Sequence, residues 1–153
     1  MKIGVISDTH GFLDPKVLKL FAGVEHILHA GDAGSDAIIA ELAAVAPITA
    51  VLGNTDSSPA FRLTEIVVLA GRKFLLHHIV NPRALTESLR VRIACERPDA
   101  VVYGHTHKAF CGAKDGVLYL NPGYAGKPKL GLERSVAILH CDEKELRPEF
   151  LPL

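Results

Sequence analysis

This sequence has no excess of charge, no long apolar run and no paired cysteines, and each lack removes a class of protein. Its 17 lysines and arginines balance 17 aspartates and glutamates, so the formal net charge is zero. A protein that grips nucleic acid regardless of sequence needs a basic excess to displace counterions, so a nucleic-acid partner is not expected. No apolar run approaches the roughly 18 residues that cross a bilayer, so no membrane segment is expected. The opening residues carry one lysine, and their short apolar run ends in Asp8-Thr9-His10, unlike a signal peptide. The three cysteines, Cys95, Cys111 and Cys141, are widely spaced and form no Cys-x-x-Cys pair. That usage points to a reducing cytosol and a cytoplasmic location, with each thiol expected as a small buried side chain. Linkers, internal repeats and low-complexity segments are missing too.

What is present suits one globular domain over residues 1–153. Hydrophobic residues make up 48% and charged residues 22% of the chain, enough apolar material to bury a real core. Lys2 to Ser7 reads as a central strand. Asp14 and Pro15 read as the cap and first residue of a short helix to Phe21. Glu25 to Ala30, a helix over Ser35 to Ala44, and Ile48 to Leu52 complete a βαβαβ run, the signature of parallel strands flanked by helices. The pattern then changes. Glu65 to Leu69 and Lys73 to His77 read as a hairpin around Ala70-Gly71-Arg72. Arg83 to Arg97 reads as an amphipathic helix ending before Pro98. Strands are expected at Asp99 to Tyr103, Lys108 to Cys111, Val117 to Leu120, Ser135 to Cys141 and Leu146 to Leu151. The expectation is a parallel α/β half followed by a second, more antiparallel sheet, the two packed face to face with helices outside.

Polar side chains able to bind metal follow apolar runs at five places: Asp8-Thr9-His10, Gly31-Asp32, Gly53-Asn54-Thr55-Asp56, His77-His78 and Gly104-His105-Thr106-His107. In open α/β sheets, ligands bind at the carboxyl ends of strands. The candidate donors are Asp8, His10, Asp32, Asn54, His78, His105 and His107. They mix oxygen and imidazole nitrogen without thiolate, which suits Mn, Fe, Zn or Ni and not a structural zinc cage. The set is too large for one tetrahedral ion and suits two ions sharing a carboxylate. Paired ions ~3.5–4 Å apart are the usual device for hydrolysing phosphate esters. Strand side chains alternate faces, so only one of His77 and His78 can point into such a site.

In order and spacing these motifs resemble the signature of the calcineurin-like metallophosphoesterases. Asn121-Pro122-Gly123 and the opening Met1 to Gly11 resemble its small, single-domain YfcE-like phosphodiesterase branch. The resemblance runs from Met1 to about Leu139. It implies a four-layer α/β/β/α sandwich with two mixed sheets and two divalent ions, manganese first among the choices. Asp8, His10 and His107 would hold one ion, Asp32 would bridge, and Asn54, His78 and His105 would hold the other. His105 and Asn54 would also lie near the phosphate and take part in catalysis. Asp56 matches a position that hydrogen-bonds the imidazole of the first motif, here His10, and would fix its tautomer. The reaction implied is hydrolysis of a small phosphodiester by a hydroxide bridging the ions.

Three departures stand out. Thr55 occupies a position where many larger phosphatases carry a histidine assigned as the acid for the leaving group, and a threonine hydroxyl is a poor general acid. Ile79-Val80 replaces a glycine and a further histidine. Tyr124 replaces a serine, moving a phosphate-contacting hydroxyl outward. The first predicts clear activity on aryl diesters and weak activity on alkyl monoesters. Among the other polar residues, His29 is expected as a hydrogen-bonded core histidine or a support for Asp32, His140 as surface or sheet, and Arg62, Arg83 and Arg134 as solvated rather than phosphate clamps. Gly11, Gly53 and Gly104 are expected to let the backbone turn tightly beside the ions. Alternatives are a phosphomonoesterase or nucleotide-processing hydrolase on the same site, and a non-catalytic protein-binding scaffold such as the retromer subunit that resembles this fold. Exposed edges of the second sheet offer a place for a second copy, so a homo-oligomer stays open.

Overall fold

A computed structural model describes every residue of the chain except Glu143. The elements run β1 (Lys2–Ile6), α1 (Pro15–Leu20), β2 (His26–His29), α2 (Asp36–Ala43), β3 (Ile48–Ala50), β4 (Thr64–Leu69), β5 (Arg72–His77), α3 (Glu87–Glu96), β6 (Ala100–Val102), β7 (Phe110–Lys114), β8 (Val117–Asn121), β9 (Ser135–Cys141) and β10 (Leu146–Pro152). They form two five-stranded sheets, ordered β10-β9-β1-β2-β3 and β4-β5-β6-β8-β7.

Side-chain alternation along the strands builds the layers. Ile3 and Val5 of β1, Leu28 of β2, Phe74 and Leu76 of β5, Val102 of β6 and Leu139 of β9 share the core between the sheets. The opposite faces of the first sheet, through Ile6, Ile27, Val136 and Ile138, pack on Val17 and Phe21 at α1 and on Ile38 and Leu42 of α2. Leu75 and Val101 of the second sheet pack on Leu89 of α3. The result is helix, sheet, sheet, helix. Central strands are buried on both faces, so they read as continuous apolar runs.

The expected division of the chain needs one correction. β9 and β10 do not belong to the second sheet. They return to the first, with β9 antiparallel to β1 (Gly4 opposite Ile138) and β10 antiparallel to β9. Inward Ala137, Leu139 and Cys141 and outward Val136 and Ile138 give β9 two apolar faces, which only a central position can bury. The second sheet is no more antiparallel than the first, because β6 lies parallel to both β5 and β8.

Local chemistry sets the boundaries. Asp14 accepts the Lys16 N–H at 2.9 Å and caps α1 as expected. Ser35 is the cap of α2 rather than its first residue. The third helix starts at Glu87, capped by Thr86, not at Arg83, because Asn81 takes the Arg83 N–H on its side chain and the Ala84 N–H on its carbonyl, closing a turn. The hairpin turn is the two residues Ala70-Gly71, both at positive φ, with Arg72 already in β5. Cys141 is buried as expected, but Cys95 and Cys111 are exposed. Among the described residues, no helix is long and apolar enough to cross a membrane.

Candidate metal centre

β1, β2, β3, β5 and β6 release their chains at one rim, and each release delivers one of the polar motifs. Backbone hydrogen bonds zip the loops together. Asp8 N–H donates to Gly31 O at 3.0 Å, His10 N–H to Asp32 O at 2.9 Å, and Gly104 N–H to His78 O at 3.0 Å. Residues distant in sequence are thereby fixed side by side.

Two clusters share Asp8 (Asp8 with His10 and His107, Asp8 with Asp32 and His78), and within each the ligand atoms lie within 4.8 Å of one another. Asp8 Oδ1 is 3.3 Å from His107 Nε2, 3.8 Å from His78 Nε2 and 3.9 Å from His10 Nε2. Asp32 Oδ2 is 3.3 Å from His78 Nε2 and 3.9 Å from His10 Nε2, between the two groups. Asn54 and His105 stand at the exposed mouth, the Asn54 Oδ1 and His105 Nδ1 atoms 3.0 Å apart. The His105 ring centroid is 5.4 Å from that of His78.

Asp8 and Asp32 are 0% and 2% exposed, and the basic side chains within 4.0 Å of them are histidines. Their outer oxygens are held from behind: Asp8 Oδ2 accepts the His105 N–H, and Asp32 Oδ1 accepts the Thr55 N–H at 2.9 Å. His78 Nδ1 lies 2.7 Å from Ala30 O. A carbonyl only accepts, so Nδ1 carries the proton and Nε2 turns a lone pair toward the carboxylates. Among the described residues, two buried side-chain atoms lack any hydrogen-bond partner, Asp8 Oδ1 and His78 Nε2. Both face the same space. Orphaned buried polar atoms are unfavourable by about 1–3 kcal/mol each, and a divalent cation between a carboxylate and an imidazole lone pair satisfies both. The donor set therefore fits a metal.

The backbone is strained at the same place. Asp8, His10, Asp32, His105 and His107 all have φ between 48° and 67°, five of the eight described non-glycine residues with positive φ. This left-handed region is unfavourable for residues with a Cβ, and histidine and aspartate tolerate it better than most. Such strain persists where surrounding bonds over-determine it, and it gathers at functional sites. Gly53 and Gly104 serve differently from expectation. Neither has positive φ; each lacks a Cβ because one would collide with Asp32 Oδ1 or with Ser7 and Asp8 Oδ2.

Asp56 does not reach His10. Its carboxylate accepts the N–H groups of Gly53 at 2.9 Å, Gly34 at 2.8 Å and Ala33 at 3.1 Å, tying the loop after β3 to the loop after β2. Burial pushes its pKa up, but these three donors outweigh burial and hold the carboxyl below the usual range. His77 points the other way from His78 and bonds Thr64 at 2.8 Å. Tyr124 carries no outward hydroxyl. It is 1% exposed, and its ring lies 4.7 Å from His107 and 6.0 Å from His10, backing both imidazoles. Arg134 is not solvated; it pairs with Asp14 at 2.8 Å.

Two supports stand behind the cluster, and the first, His29, is the hydrogen-bonded core histidine expected from the sequence. Fully buried His29 accepts the Gly31 N–H on Nδ1, so its Nε2 proton goes to Thr9 Oγ1 at 3.1 Å, and Thr9 donates to Ala33 O. Burial holds His29 down to a pKa of about 4, neutral at physiological pH. This chain anchors the residue between Asp8 and His10. Buried Asn121 donates to Gly104 O at 2.8 Å and to Thr106 Oγ1, and accepts the Gly123 N–H, holding the His105–His107 loop. The Asn-Pro-Gly motif marked the place but not the task.

Two face-to-face mixed sheets with this carboxylate and imidazole cluster at their rim define a protein of the metallophosphoesterase fold. Sequence comparison gives the family. Residues 1–144 match the model of the calcineurin-like phosphoesterase superfamily domain, and the chain belongs to that superfamily. It is 38% identical over 161 residues to a Methanothermobacter thermautotrophicus protein named "Probable metallophosphoesterase", covering 99% of this chain and 92% of that one. It is 31% identical over 170 residues to the phosphodiesterase YfcE of Escherichia coli, covering 93% and 89%. The solved structure of an archaeal phosphodiesterase superposes with a TM-score of 0.78 at 29% identity, covering 99% and 100%.

Proposed function

We propose that residues 1–153 act as one unit, a cytoplasmic phosphodiesterase that works with two divalent ions, manganese first and Ni, Fe or Zn as alternatives. The observation that carries this is the pair of partnerless buried atoms, Asp8 Oδ1 and His78 Nε2, facing one space. Asp8, His10 and His107 would hold one ion, and His78, Asn54 and His105 the other. Asp32 Oδ2, within 3.9 Å of His10 and 3.3 Å of His78, would serve both. Held by these residues, such ions would supply Lewis-acid charge for phosphoryl oxygens and for lowering the pKa of water.

The chain's own contribution is positioning. Ala30 O fixes the His78 tautomer, and Thr55 and His105 backbone N–H groups aim the two carboxylates. Exposed Asn54 and His105 line the open side, where a phosphate must arrive. Thr55 offers no good acid for a leaving alkoxide, so diesters with good leaving groups should turn over faster than alkyl monoesters. A complete set of donors favours an enzyme over a binding scaffold of this fold.

The test is hydrolysis of bis(p-nitrophenyl) phosphate by metal-stripped protein titrated with Mn, Ni, Zn and Mg, beside Asp32→Ala. Activity returning at about two metal equivalents and lost in the variant is expected. Metal binding without cleavage of aryl or alkyl esters would leave the scaffold. p-Nitrophenyl phosphate in the same assay separates a monoesterase.

A further inference from the structure

Two cavities open on the rim that carries the metal cluster, one on each side of β1. The first sheet is ordered β10-β9-β1-β2-β3, so the Asp8 and His10 loop sits between its ends. At the β3 side lies a cavity of about 330 Å³ lined by Ile39, Ser57 and Phe61 and, next to Asn54 in the chain, by Thr55. At the β10 side lies a groove of about 930 Å³ that starts at His107 and is walled by Leu132 and Phe150. Ser135, at the start of β9, and Pro152, at the end of β10, both line the groove. These ends pair with each other beside the carboxyl end of β1, which places the groove on the rim of Asp8.

We infer that these two cavities are subsites for the two ester groups of the substrate. This rests on the phosphodiesterase reading and sharpens it. Phosphorus held at the cluster by Asn54, His105 and the ligand set must send its two ester oxygens outward. A monoester has one organic arm and would leave one cavity unused. A diester has two, and the cluster is flanked by two cavities. Their linings name the chemistry. Phe61 and Ile39 in one, and Leu132 and Phe150 in the other, offer apolar surface for a ring or short hydrocarbon. Of the two cations in the groove, Arg134 is spent on Asp14 and Lys108 is exposed. The substrate class is therefore a small diester that carries an apolar or aromatic group on each arm.

The experiment fills each cavity separately. Ser57 and Ala109 are exposed lining residues outside the cluster, so Ser57→Trp and Ala109→Trp are compared with the parent protein on two esters. Bis(p-nitrophenyl) phosphate needs room for two rings. Methyl p-nitrophenyl phosphate has one ring, and that ring is the leaving group, so it occupies one cavity only. Expected is a rise in KM of about tenfold for the two-ring ester in both variants, and for the one-ring ester in only one of them. The sensitive variant then identifies the leaving-group side. Amide NMR supplies a readout without turnover: diphenyl phosphate should move the Phe61 and Leu132 resonances of the Mg-loaded protein, and dimethyl phosphate should leave them in place. Ser57→Phe and Ala109→Phe replace any tryptophan variant that does not melt cooperatively. Equal responses of the two esters in both variants, or a two-ring KM unmoved by either variant, overturn the subsites while the phosphodiesterase reading stands. Absence of turnover by the parent protein with every metal overturns that reading and the subsites together.

Discussion

Replacing Asp8 by asparagine should stabilise the metal-free protein and abolish its response to metal. Asp8 is fully buried, and Oδ1 has no hydrogen-bond partner. In the parent that oxygen is unfavourable by about 1–3 kcal/mol unless a cation satisfies it. An asparagine of the same shape can present its NH₂ where Oδ1 stood, 3.3 Å from His107 Nε2, and still accept the His105 N–H on its oxygen. It also removes one of two carboxylates that crowd His10 and His78. A net gain of about 1–2 kcal/mol follows, worth roughly 2–8 °C in Tm for a chain of this size. Metal at 100 times its Kd should stabilise the parent by about 2.7 kcal/mol and the variant by far less. Thermal melts followed by circular dichroism, in chelator and across a manganese titration, read both effects. A metal-free variant that melts below the metal-free parent refutes the orphaned-oxygen reasoning. A variant that keeps the parent's metal response refutes the placing of Asp8 on an ion.

Further outcomes follow from the same geometry. Buried His29 takes a proton only near pH 4, whereas the unfolded chain takes one near 6.5, so between these values the unfolded state binds more protons and stability falls as pH falls. Urea melts should lose about 3 kcal/mol from this residue between pH 7.5 and pH 4, a loss His29→Gln should reduce. His105→Gly relieves a φ of 67° at an exposed position, so urea melts should show metal-free stability rising by about 0.5–1 kcal/mol, while hydrolysis falls roughly 10–100-fold. Asn121→Ala strands the Gly123 N–H and leaves the Gly104 carbonyl with the Thr106 N–H alone, so stability by urea melts should drop by about 1–3 kcal/mol, and calorimetry should show weaker metal binding.

Much of this protein is legible along the chain because the information is local. Apolar runs mark both-face-buried strands such as Ile3 to Ile6, caps such as Asp14 mark helix starts, and polar residues just past the runs mark the rim. Nothing local reveals which sheet a late strand joins. β9 and β10 resemble the strands of the second sheet, and only the burial of both faces of β9 beside β1 decides their place. Hydrogen bonds between distant loops were equally hidden. Asp56 was expected at His10, but three backbone donors from two loops claim its carboxylate first.

The sequence alone determined the donor types and their order, since a carboxylate or an imidazole is a property of the residue. It also determined that the chain belongs with the phosphoesterases, because spacing after each strand survives in one dimension. Only tertiary structure decided that Asp8 and His107 stand 3.3 Å apart, that Asp8 Oδ1 and His78 Nε2 lack partners, and that a cavity lies on each side of β1. Distance, desolvation and enclosed space depend on how the sheets pack, and packing joins residues that the chain keeps far apart.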